Sequence, residues 1–369
     1  MFASVPWWMY GVGFLLLLGP LVTVHELGHY LVGRWFGVKA DVFSIGFGKE
    51  LAGFTDRRGT RWKLAALPLG GYVQFAGDMN PASQPTAEWL ALPEALRAQT
   101  FQAKPLWQRA LIVAAGPATN VIIALVIFAG FALAFGRPMT PPVIEVFTAD
   151  SVAHAAGLEV GDRIVAIDGE AIADFEDVSA YVLPFPGRVI EITYKRDGRE
   201  GMAPVRIATH QMVDRFGNKA EIGLIGVGSN ARRFEPVGLI GASAFAVKSS
   251  TELVELTITG LRQILTGERS VKELGGPVKM AKFSGEKLAL GPLNFIEFVA
   301  FVSINLAFIN LLPIPALDGG HLAFYAAEAV RRKPLGPRSQ EWAFRTGIAF
   351  VLALMLFVTI NDVASLFGS

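Results

Sequence analysis

The feature that most constrains this chain is a charge-free apolar run, residues 7–24, that leads directly into the motif His25-Glu26-Leu27-Gly28-His29. Residues four apart lie on one face of a helix, so the imidazoles of His25 and His29 can reach a single metal ion. Glu26 can then accept a proton from water at that ion. Such an ionisable cluster is costly in lipid and therefore indicates a functional site. The alternative is a helix that ends at the membrane interface and whose histidines have no catalytic role.

The composition favours an integral membrane protein. Of the 369 residues, 52% are hydrophobic and only 18% are charged, whereas about 25% are charged in an average soluble domain. The chain has no cysteine, so a metal site must use histidine and carboxylate ligands. The formal net charge of +1 provides no basic field, and we expect no nucleic-acid partner.

Four stretches are apolar enough to cross a lipid bilayer, which takes about 20 residues each: residues 7–36, 110–135, 295–312 and 342–360. We expect the first to be retained as a span, because it lacks a basic start and the metal motif follows directly. Lys and Arg concentrate in the first and third connections. The positive-inside rule places both in the cytoplasm, with both termini and the long second connection outside. The metal motif then lies near the cytoplasmic side.

Residues 41–75 favour β-strands over helix. Phe43, Ile45 and Phe47 alternate with small or polar residues, and a polar turn at 56–59 separates two strand-like runs. The resulting hairpin either stabilises the cytoplasmic loop or presents a strand edge that can pair with an extended substrate. Residues 80–99 are predicted to form a surface linker with a short helix.

Residues 142–230 have the composition of a small soluble domain. About five strands and two short helices are predicted, and the turn Asp197-Gly198 is the strongest hairpin signal. These elements suit a small, partly open β-barrel. Residues 238–266 are predicted to form an amphipathic helix, at the outer interface or packed on the soluble domain, because Lys248, Glu252 and Glu255 exclude lipid on every side.

The third span ends in a proline-rich break. Pro313 and Pro315 force extended backbone directly after Asn310. Non-helical backbone at membrane depth is tolerated only inside protein or beside a watery cavity, so the break predicts a cavity. In the second span, Asn120 either bonds a neighbouring helix, as is more common, or serves the active site.

Asp318 follows this break and is the natural third ligand beside His25 and His29. Three protein ligands plus one water is the arrangement of a catalytic zinc site. Two alternatives remain open from the residues alone. Asp318 could instead cap the helix that follows it, and His321 is the rival third ligand.

Several motifs, in one order along nearly the whole chain, resemble the site-2 protease family, and within it the branch of the bacterial regulator of sigma-E protease. The metal motif and the proline-rich break are two of them. The others lie in the hairpin and in the soluble domain. The matching segments are His25-Glu26-Leu27-Gly28-His29, Gly46-Phe47-Gly48, Asp56-Arg57-Arg58-Gly59-Thr60, Pro68-Leu69-Gly70-Gly71-Tyr72-Val73, Ala156-Gly157-Leu158, Gly161-Asp162-Arg163-Ile164, and the run from Asn310 to His321.

The resemblance implies a role for each matching residue. His25, His29 and Asp318 would hold one Zn²⁺ per chain, with Glu26 as the catalytic base. The hairpin resembles a membrane-reentrant β-loop, and the outside domain resembles a PDZ domain. The chain has room for one such domain where the best-known member has two, so substrate filtering is expected to be less strict or completed by a partner. The substrate-binding residues implied are Asn310, Gly46, Phe47, Gly48, Gly70 and Gly71.

We therefore expect an α-helical polytopic membrane protein of four transmembrane helices, with a membrane-associated β-hairpin or sheet and one extracytoplasmic PDZ-like α+β domain. The expected function is zinc-dependent hydrolysis of peptide bonds in or near transmembrane segments. The alternatives are a membrane-anchored PDZ scaffold with a structural metal and, less favoured, a metal transporter. The expected domains are 1–36 (helix with the metal motif), 37–109 (β region and linker), 110–136 (helix), 140–230 (PDZ), 235–292 (amphipathic helix and connector), 293–325 (helix with the break) and 342–362 (helix).

The resemblance also implies partners and a location. Expected substrates are single-span membrane proteins, including anti-sigma factors already trimmed outside, and remnant signal peptides. The PDZ-like domain would bind a C-terminal peptide or act as a size filter. The expected location is the bacterial inner membrane, with the lipid bilayer as a further partner.

Overall fold

In the part of the chain that the structure describes, four helices are long and apolar enough to cross a membrane, as predicted. The computed structural model describes residues 5–77, 93–213, 219–229, 233–267, 270–271, 274–333 and 336–367. The membrane-length helices are α1 (Trp7–Trp35), α3 (Leu106–Phe135), α8 (Pro292–Leu311) and α10 (Pro337–Phe367). At 1.5 Å per residue each covers about 30 Å or more, the thickness of the hydrocarbon core.

The described chain divides into two compact units. One contains Met1–Phe128 and Ala246–Ser369, and the other contains Ala129–Phe245. The first unit holds most of each membrane-length helix together with the predicted β region. The second unit holds the soluble domain predicted at residues 142–230.

Two strands form the β region of the first unit: β1 (Ala40–Thr55) and β2 (Arg61–Phe75). The prediction of a simple hairpin is incomplete, because both strands bend and pair twice. Residues 42–45 pair with 71–74 on one side and with 61–64 on the other, and 61–65 also pair with 50–55. The result is four paired segments in the order 71–75, 40–45, 61–67, 50–55. Among the described residues, segment 71–75, called the edge strand below, therefore has a strand neighbour on one side only.

The sheet packs on α1 through a buried aromatic cluster. Phe43 is 1% exposed and stacks on Trp62, and Tyr30 of α1 meets both rings edge-on. Such edge-to-face pairs each contribute about 0.5–1.5 kcal/mol beyond simple burial. This contact fixes the sheet beside the half of α1 that carries the metal motif. Of the predicted linker at 80–99, residues 80–92 lie outside the described residues, and the predicted short helix is α2 (Glu94–Arg97).

The predicted break in the third span is present. Helix α8 ends at Leu311, and α9 (Asp318–Arg331) begins after the two prolines. Helix α10 packs directly against the break: a β-carbon at Gly347 would overlap the carbonyl of Pro315. The break thus lies against protein at Pro315, and irregular backbone at membrane depth is tolerated beside protein or a watery cavity.

The segment before the third span forms two helices, α6 (Leu239–Leu265) and α7 (Pro277–Ala289). The middle of α6 packs on membrane-length helices, a contact that the sequence did not predict. Leu253 and Val254 pack with Ala124 of α3 and with Ile304 of α8, and the Thr257 hydroxyl lies 2.8 Å from Oδ1 of Asn305. Mid-helix residues of α6 therefore cover two membrane-length helices, because their apolar side chains find an apolar surface there.

The second unit is built around a four-stranded antiparallel sheet in the order β6-β5-β7-β8, beside two-stranded ribbons. The turn Asp197-Gly198 joins β7 and β8, and both residues have positive φ, as the hairpin signal predicts. The sheet and ribbons replace the single open barrel that was expected. The elements are β3 (Arg137–Met139), β4 (Val146–Phe147), α4 (Val152–Ala155), β5 (Arg163–Ile167), β6 (Glu170–Ala171), α5 (Phe175–Val182), β7 (Val189–Arg196), β8 (Arg199–Arg206), β9 (Ala208–Val213), β10 (Lys219–Leu224), β11 (Val227–Gly228) and β12 (Arg233–Glu235).

Candidate metal centre and catalytic site

The three predicted ligands meet at one point. Nε2 of His25 lies 3.1 Å from Oδ2 of Asp318, and Nε2 of His29 lies 3.5 Å from Oδ1 of the same carboxylate. The two Nε2 atoms are 3.2 Å apart. These residues, called the metal triad below, form the group of metal-binding side chains found in the part of the chain that the structure describes.

Separations of this size fit a zinc ion. Zn–N and Zn–O bonds of about 2.0–2.1 Å in a tetrahedral site place neighbouring ligand atoms about 3.3 Å apart. Two imidazoles and one carboxylate are also the ligand types of a catalytic zinc site, which keeps its fourth position for water or substrate. The residues present therefore fit Zn²⁺.

The backbone around Asp318 explains why the triad can form. Ala316 has a φ of 94°, a region that side chains other than glycine rarely adopt and that costs on the order of 1–3 kcal/mol. Gly319 and Gly320 are needed because a β-carbon at either position would overlap carbonyls of residues 311–314. The chain thus turns back on itself and presents Asp318 as the first residue of α9. The N-cap position belongs to Leu317, so the alternative that Asp318 caps the helix is wrong.

Helix α3 holds the imidazoles from behind. Nδ1 of His29 lies 2.8 Å from the carbonyl oxygen of Ile112, which fixes Nδ1 as the donor and leaves the Nε2 lone pair for a metal. Gly116 provides the necessary space, because a β-carbon there would overlap His29 Nε2 and come within 2.9 Å of His25 Cε1. Pro117, inside the same helix, has no backbone N–H and so removes one donor from the helix at this point.

Glu26 lies between the triad and the sheet. It is partly buried, and its carboxylate faces the backbone N–H of Val73 on the edge strand. Gly71 is next to it: a β-carbon there would come within 3.3 Å of Glu26 Cγ. The carboxylate is therefore held near the metal triad without being one of the ligands, as a catalytic base requires.

A cavity of about 300 Å³ opens in front of these groups. Its wall contains the metal triad, Glu26, Asn310 and part of the edge strand, so the cavity predicted from the proline-rich break is present. His321 also lines it but does not belong to the group of converging ligand atoms. The converging ligand atoms therefore include those of Asp318 and not those of His321, the rival third ligand.

The structure brings some of the predicted substrate-binding residues to this cavity and not others. Asn310 lines it, and Gly71 adjoins Glu26. Phe47 lies one layer back, where its ring stacks on Tyr72, which is a wall residue. Gly46, Gly48 and Gly70 shape the bends of the sheet, since all three have positive φ.

Sequence reasoning missed two contributions to the site. Gly116 makes room for the imidazoles, and the Val73 amide faces the Glu26 carboxylate. The pair Gly116-Pro117, rare in a helix interior, was the available signal for the first. Backbone amides carry no sequence signal, and the second could not be read from residue types.

A triad that fits zinc and an adjacent carboxylate beside a cavity, within helices of membrane length, are the features of a membrane-embedded zinc metalloprotease. The comparisons with known proteins agree. The model of peptidase family M50 matches residues 13–354, which is most of the chain, and the chain belongs to this family, the site-2 proteases.

Bacterial relatives match over nearly their whole length. A protein of Agrobacterium fabrum with the provisional name zinc metalloprotease is 46% identical over 97% of both chains. One of Rhizobium meliloti with the same provisional name is 44% identical over 96% of both. Metalloprotease MmpA of Caulobacter vibrioides is 36% identical over 95% of this chain and 94% of its own.

A smaller match concerns the second unit. A solved PDZ domain of an SdrC-like protein from Listeria monocytogenes is 24% identical and covers 24% of this chain and 88% of its own. Its TM-score is 0.19, too low to assign a fold.

Proposed function

We propose that this protein cuts single-span membrane proteins within or near their transmembrane segments, with the metal triad and Glu26 as its catalytic centre. The observation that carries the proposal is the convergence of His25, His29 and Asp318 on one point beside Glu26. The enclosing helices make a membrane segment the natural substrate, because they are apolar on their outer faces and long enough to span.

The chain's own residues divide the catalytic work. When bound to the triad, Zn²⁺ supplies Lewis acidity toward water and toward the scissile carbonyl. Glu26 takes a proton from the attacking water and returns it to the leaving amine. Asn310, at the cavity wall, can donate its amide N–H to a substrate carbonyl and so hold the peptide in place.

A transmembrane substrate must unwind before it can be cut. Its helical hydrogen bonds hide the scissile carbonyl, and each backbone group left unpaired in lipid costs on the order of several kcal/mol. The edge strand supports a way to offset this cost. Its outer side pairs with no strand in the part of the chain that the structure describes, and its residues Tyr72 and Val73 line the cavity. We infer that the unwound segment lies extended beside residues 71–73, where strand pairing can satisfy its backbone. Gly46, Phe47, Gly48 and Gly70 would act indirectly, by shaping and backing this strand.

The second unit offers a separate groove of about 620 Å³ between α5 and the strand end at residues 223–227. We infer that this domain is PDZ-like and that its groove takes the apolar C-terminus of a trimmed substrate. Val178 and Val182 of α5 supply apolar lining, and Thr209 and Ser179 supply polar groups. This combination of apolar wall and polar rim is typical of peptide-binding grooves.

The charge pattern supports an orientation in the bacterial inner membrane. The loop segments 37–105 and 331–338 hold most of the basic residues near the spans, which favours a cytoplasmic location for both and an extracytoplasmic second unit. Because the chain has no cysteine, single cysteines report orientation cleanly. Arg58→Cys should be protected from an impermeant thiol reagent in intact cells, and Asp197→Cys should react. The reverse result would invert the orientation.

The deciding experiment is cleavage in vesicles. The purified full-length protein is reconstituted with a single-span substrate, and the new termini are identified by mass spectrometry. We expect a cut inside or within a few residues of the span, abolished by a zinc chelator, and faster when helix-breaking residues flank the scissile bond. Anti-sigma factors trimmed outside and remnant signal peptides are the substrates to try first. An uncut substrate beside a zinc-loaded protein would favour the scaffold function instead.

A further inference from the structure

One polar side chain of the second span contacts a histidine of the metal triad. Asn120 of α3 is fully buried, and its Nδ2 lies 3.2 Å from Nδ1 of His25. This is the ring nitrogen opposite to the one that faces Asp318. The amide therefore touches the ring nitrogen that would not bind the metal. A hydrogen bond at that nitrogen sets the tautomer and the ring plane of a metal-binding histidine.

The same asparagine is fixed from its other side. The Ser303 hydroxyl of α8 donates to the backbone carbonyl of Asn120 across 2.8 Å, and Ser303 is itself fully buried. Asn120 thus sits where α1, α3 and α8 meet. The hydrogen bond from Ser303 fixes the backbone of Asn120 and so limits the movement of its side-chain amide. The same bond links Asn120 to α8, the helix that precedes Asp318.

The amide has an unused half. Among the described residues, Oδ1 of Asn120 has no hydrogen-bond partner, although a buried polar atom without one costs about 1–3 kcal/mol. A half-turn of the amide brings Oδ1 to the place of Nδ2, against His25 Nδ1. Such an exchange is available to an amide and not to an apolar side chain of the same size.

Metal binding calls for that second orientation. If Nε2 of His25 gives its lone pair to a metal, the ring proton resides on Nδ1, which then needs an acceptor. If Nε2 instead keeps its proton and donates to Asp318, Nδ1 needs a donor. Asn120 can serve both tautomers, by presenting Oδ1 in the first and Nδ2 in the second.

We propose that Asn120 is a positioning residue for the metal centre, whose amide orients His25 and, by turning its oxygen toward Nδ1–H, stabilises the metal-binding tautomer. This inference rests on the proposed ligand role of His25. It assigns to α3 a part in metal affinity in addition to its role as a packing partner.

Two substitutions at this position separate positioning from packing. Asn120→Leu keeps the volume but can accept no hydrogen bond from Nδ1–H of His25. Zinc affinity should therefore fall about 10–100-fold, the range typical when a metal-binding histidine loses its hydrogen-bond partner. Asn120→Asp provides a permanent acceptor, so zinc affinity should equal or exceed that of the wild type. A packing role alone predicts the opposite order, because leucine fills the space and an unpaired buried carboxylate is costly.

The measurement is zinc affinity of the full-length protein, by competition with a coloured chelator, together with the rate of zinc loss to excess chelator. Asn305→Leu is the matched control, since Asn305 bonds Thr257 and Phe301 and lies outside the triad's partners. We expect the affinity order Asp at least equal to Asn, and both above Leu, with the control unchanged. Equal affinities for wild type and Asn120→Leu, or weakest binding by Asn120→Asp, would overturn the inference.

His25→Ala in the same assay tests the ligand role of His25 separately from the positioning role of Asn120. Loss of zinc in that variant supports His25 as a ligand. The comparison of the Asn120 variants then decides whether Asn120 orients His25. Unchanged zinc binding in His25→Ala would instead remove the ligand assignment, and the Asn120 inference with it.

Discussion

Oδ2 of Asp318 lies 3.1 Å from Nε2 of His25, although almost the whole chain separates the two residues. The local sequence determines the helix in which each residue lies. His25 lies in α1, and Asp318 lies in the first turn of α9, after the break at Pro313 and Pro315. Their contact is set by helix packing in the membrane.

Glu26→Gln should abolish cleavage and leave zinc in place. The amide cannot accept the proton of the attacking water, so we expect kcat to fall by about 10²–10⁴, while the triad is unaltered. The measurements are zinc content and the cleavage rate of a single-span substrate in vesicles. Glu297→Gln, an exposed carboxylate of α8, is the matched control and should behave as the wild type. Normal cleavage by Glu26→Gln would exclude this residue as the base.

Asp318→Asn should release zinc. The carboxylate supplies one of three protein ligands, and an amide oxygen is a far weaker zinc ligand. We expect affinity to fall by more than the about 10–100-fold that follows loss of an outer-shell partner. Competition with a chelator measures this, and Asp41→Asn, a partly exposed carboxylate paired with Lys39, serves as control. Full zinc affinity in Asp318→Asn would leave the third ligand unassigned.

Features of this site that depend on neighbouring residues could be predicted from the sequence, and features that depend on contacts between distant segments could not. The spans, the paired histidines and the break at Pro313 and Pro315 depend on composition and short spacing, and they were predicted. The double pairing of β1 and β2 was not, because it depends on two bends at glycines whose partners lie far along the chain. Contacts between helices carry even less sequence signal. The contact of the Asn120 amide with His25 and the space that Gly116 leaves for the imidazoles depend on how α3 packs against α1.

Gly116→Ala should impair the metal centre even though alanine favours helix. A β-carbon at this position would overlap His29 Nε2 and crowd His25, so the imidazoles must move or α3 must shift. Gly130 on the same helix has open space around it, and Gly130→Ala is the matched control. There we expect a small gain of up to about 1 kcal/mol in helix stability. Zinc affinity should fall at least tenfold in the first variant only. Equal affinity in both would show that the imidazoles do not depend on this gap.

Val73→Pro should slow cleavage without loss of zinc. Proline removes the N–H that faces Glu26, and an edge strand tolerates proline where its N–H points away from the sheet. Without that N–H the base is less well held, and we expect kcat to fall about tenfold or more. Val73→Ala keeps the N–H and removes most of the side chain, so it should retain most activity. If the two variants lose activity equally, the side chain and not the amide is responsible.

The last prediction concerns acid stability of the second unit. Asp162 is fully buried, and its carboxylate accepts hydrogen bonds from Arg196 at 2.7 Å and from the backbone N–H of Glu159 at 2.8 Å. Burial raises the pKa of Asp162, but the Arg196 guanidinium and the Glu159 amide outweigh burial and hold the pKa below its usual value. The ionised form is therefore favoured in the folded state.

The sign of the pH effect follows from linkage. A carboxyl group whose pKa is lower when folded contributes stability that is present above its unfolded pKa, about 3.9, and is lost as pH falls through the folded value. Amides of β5 and β7 should therefore lose hydrogen-exchange protection below about pH 4, after correction for intrinsic rates. Asp162→Asn should lower protection already at pH 7, by the about 1.5–3 kcal/mol typical of a hydrogen bond to a charged group, and should flatten the acid dependence. Asp150→Asn, at an exposed position, should keep the wild-type profile, and an unflattened profile in Asp162→Asn would assign the acid sensitivity to another group.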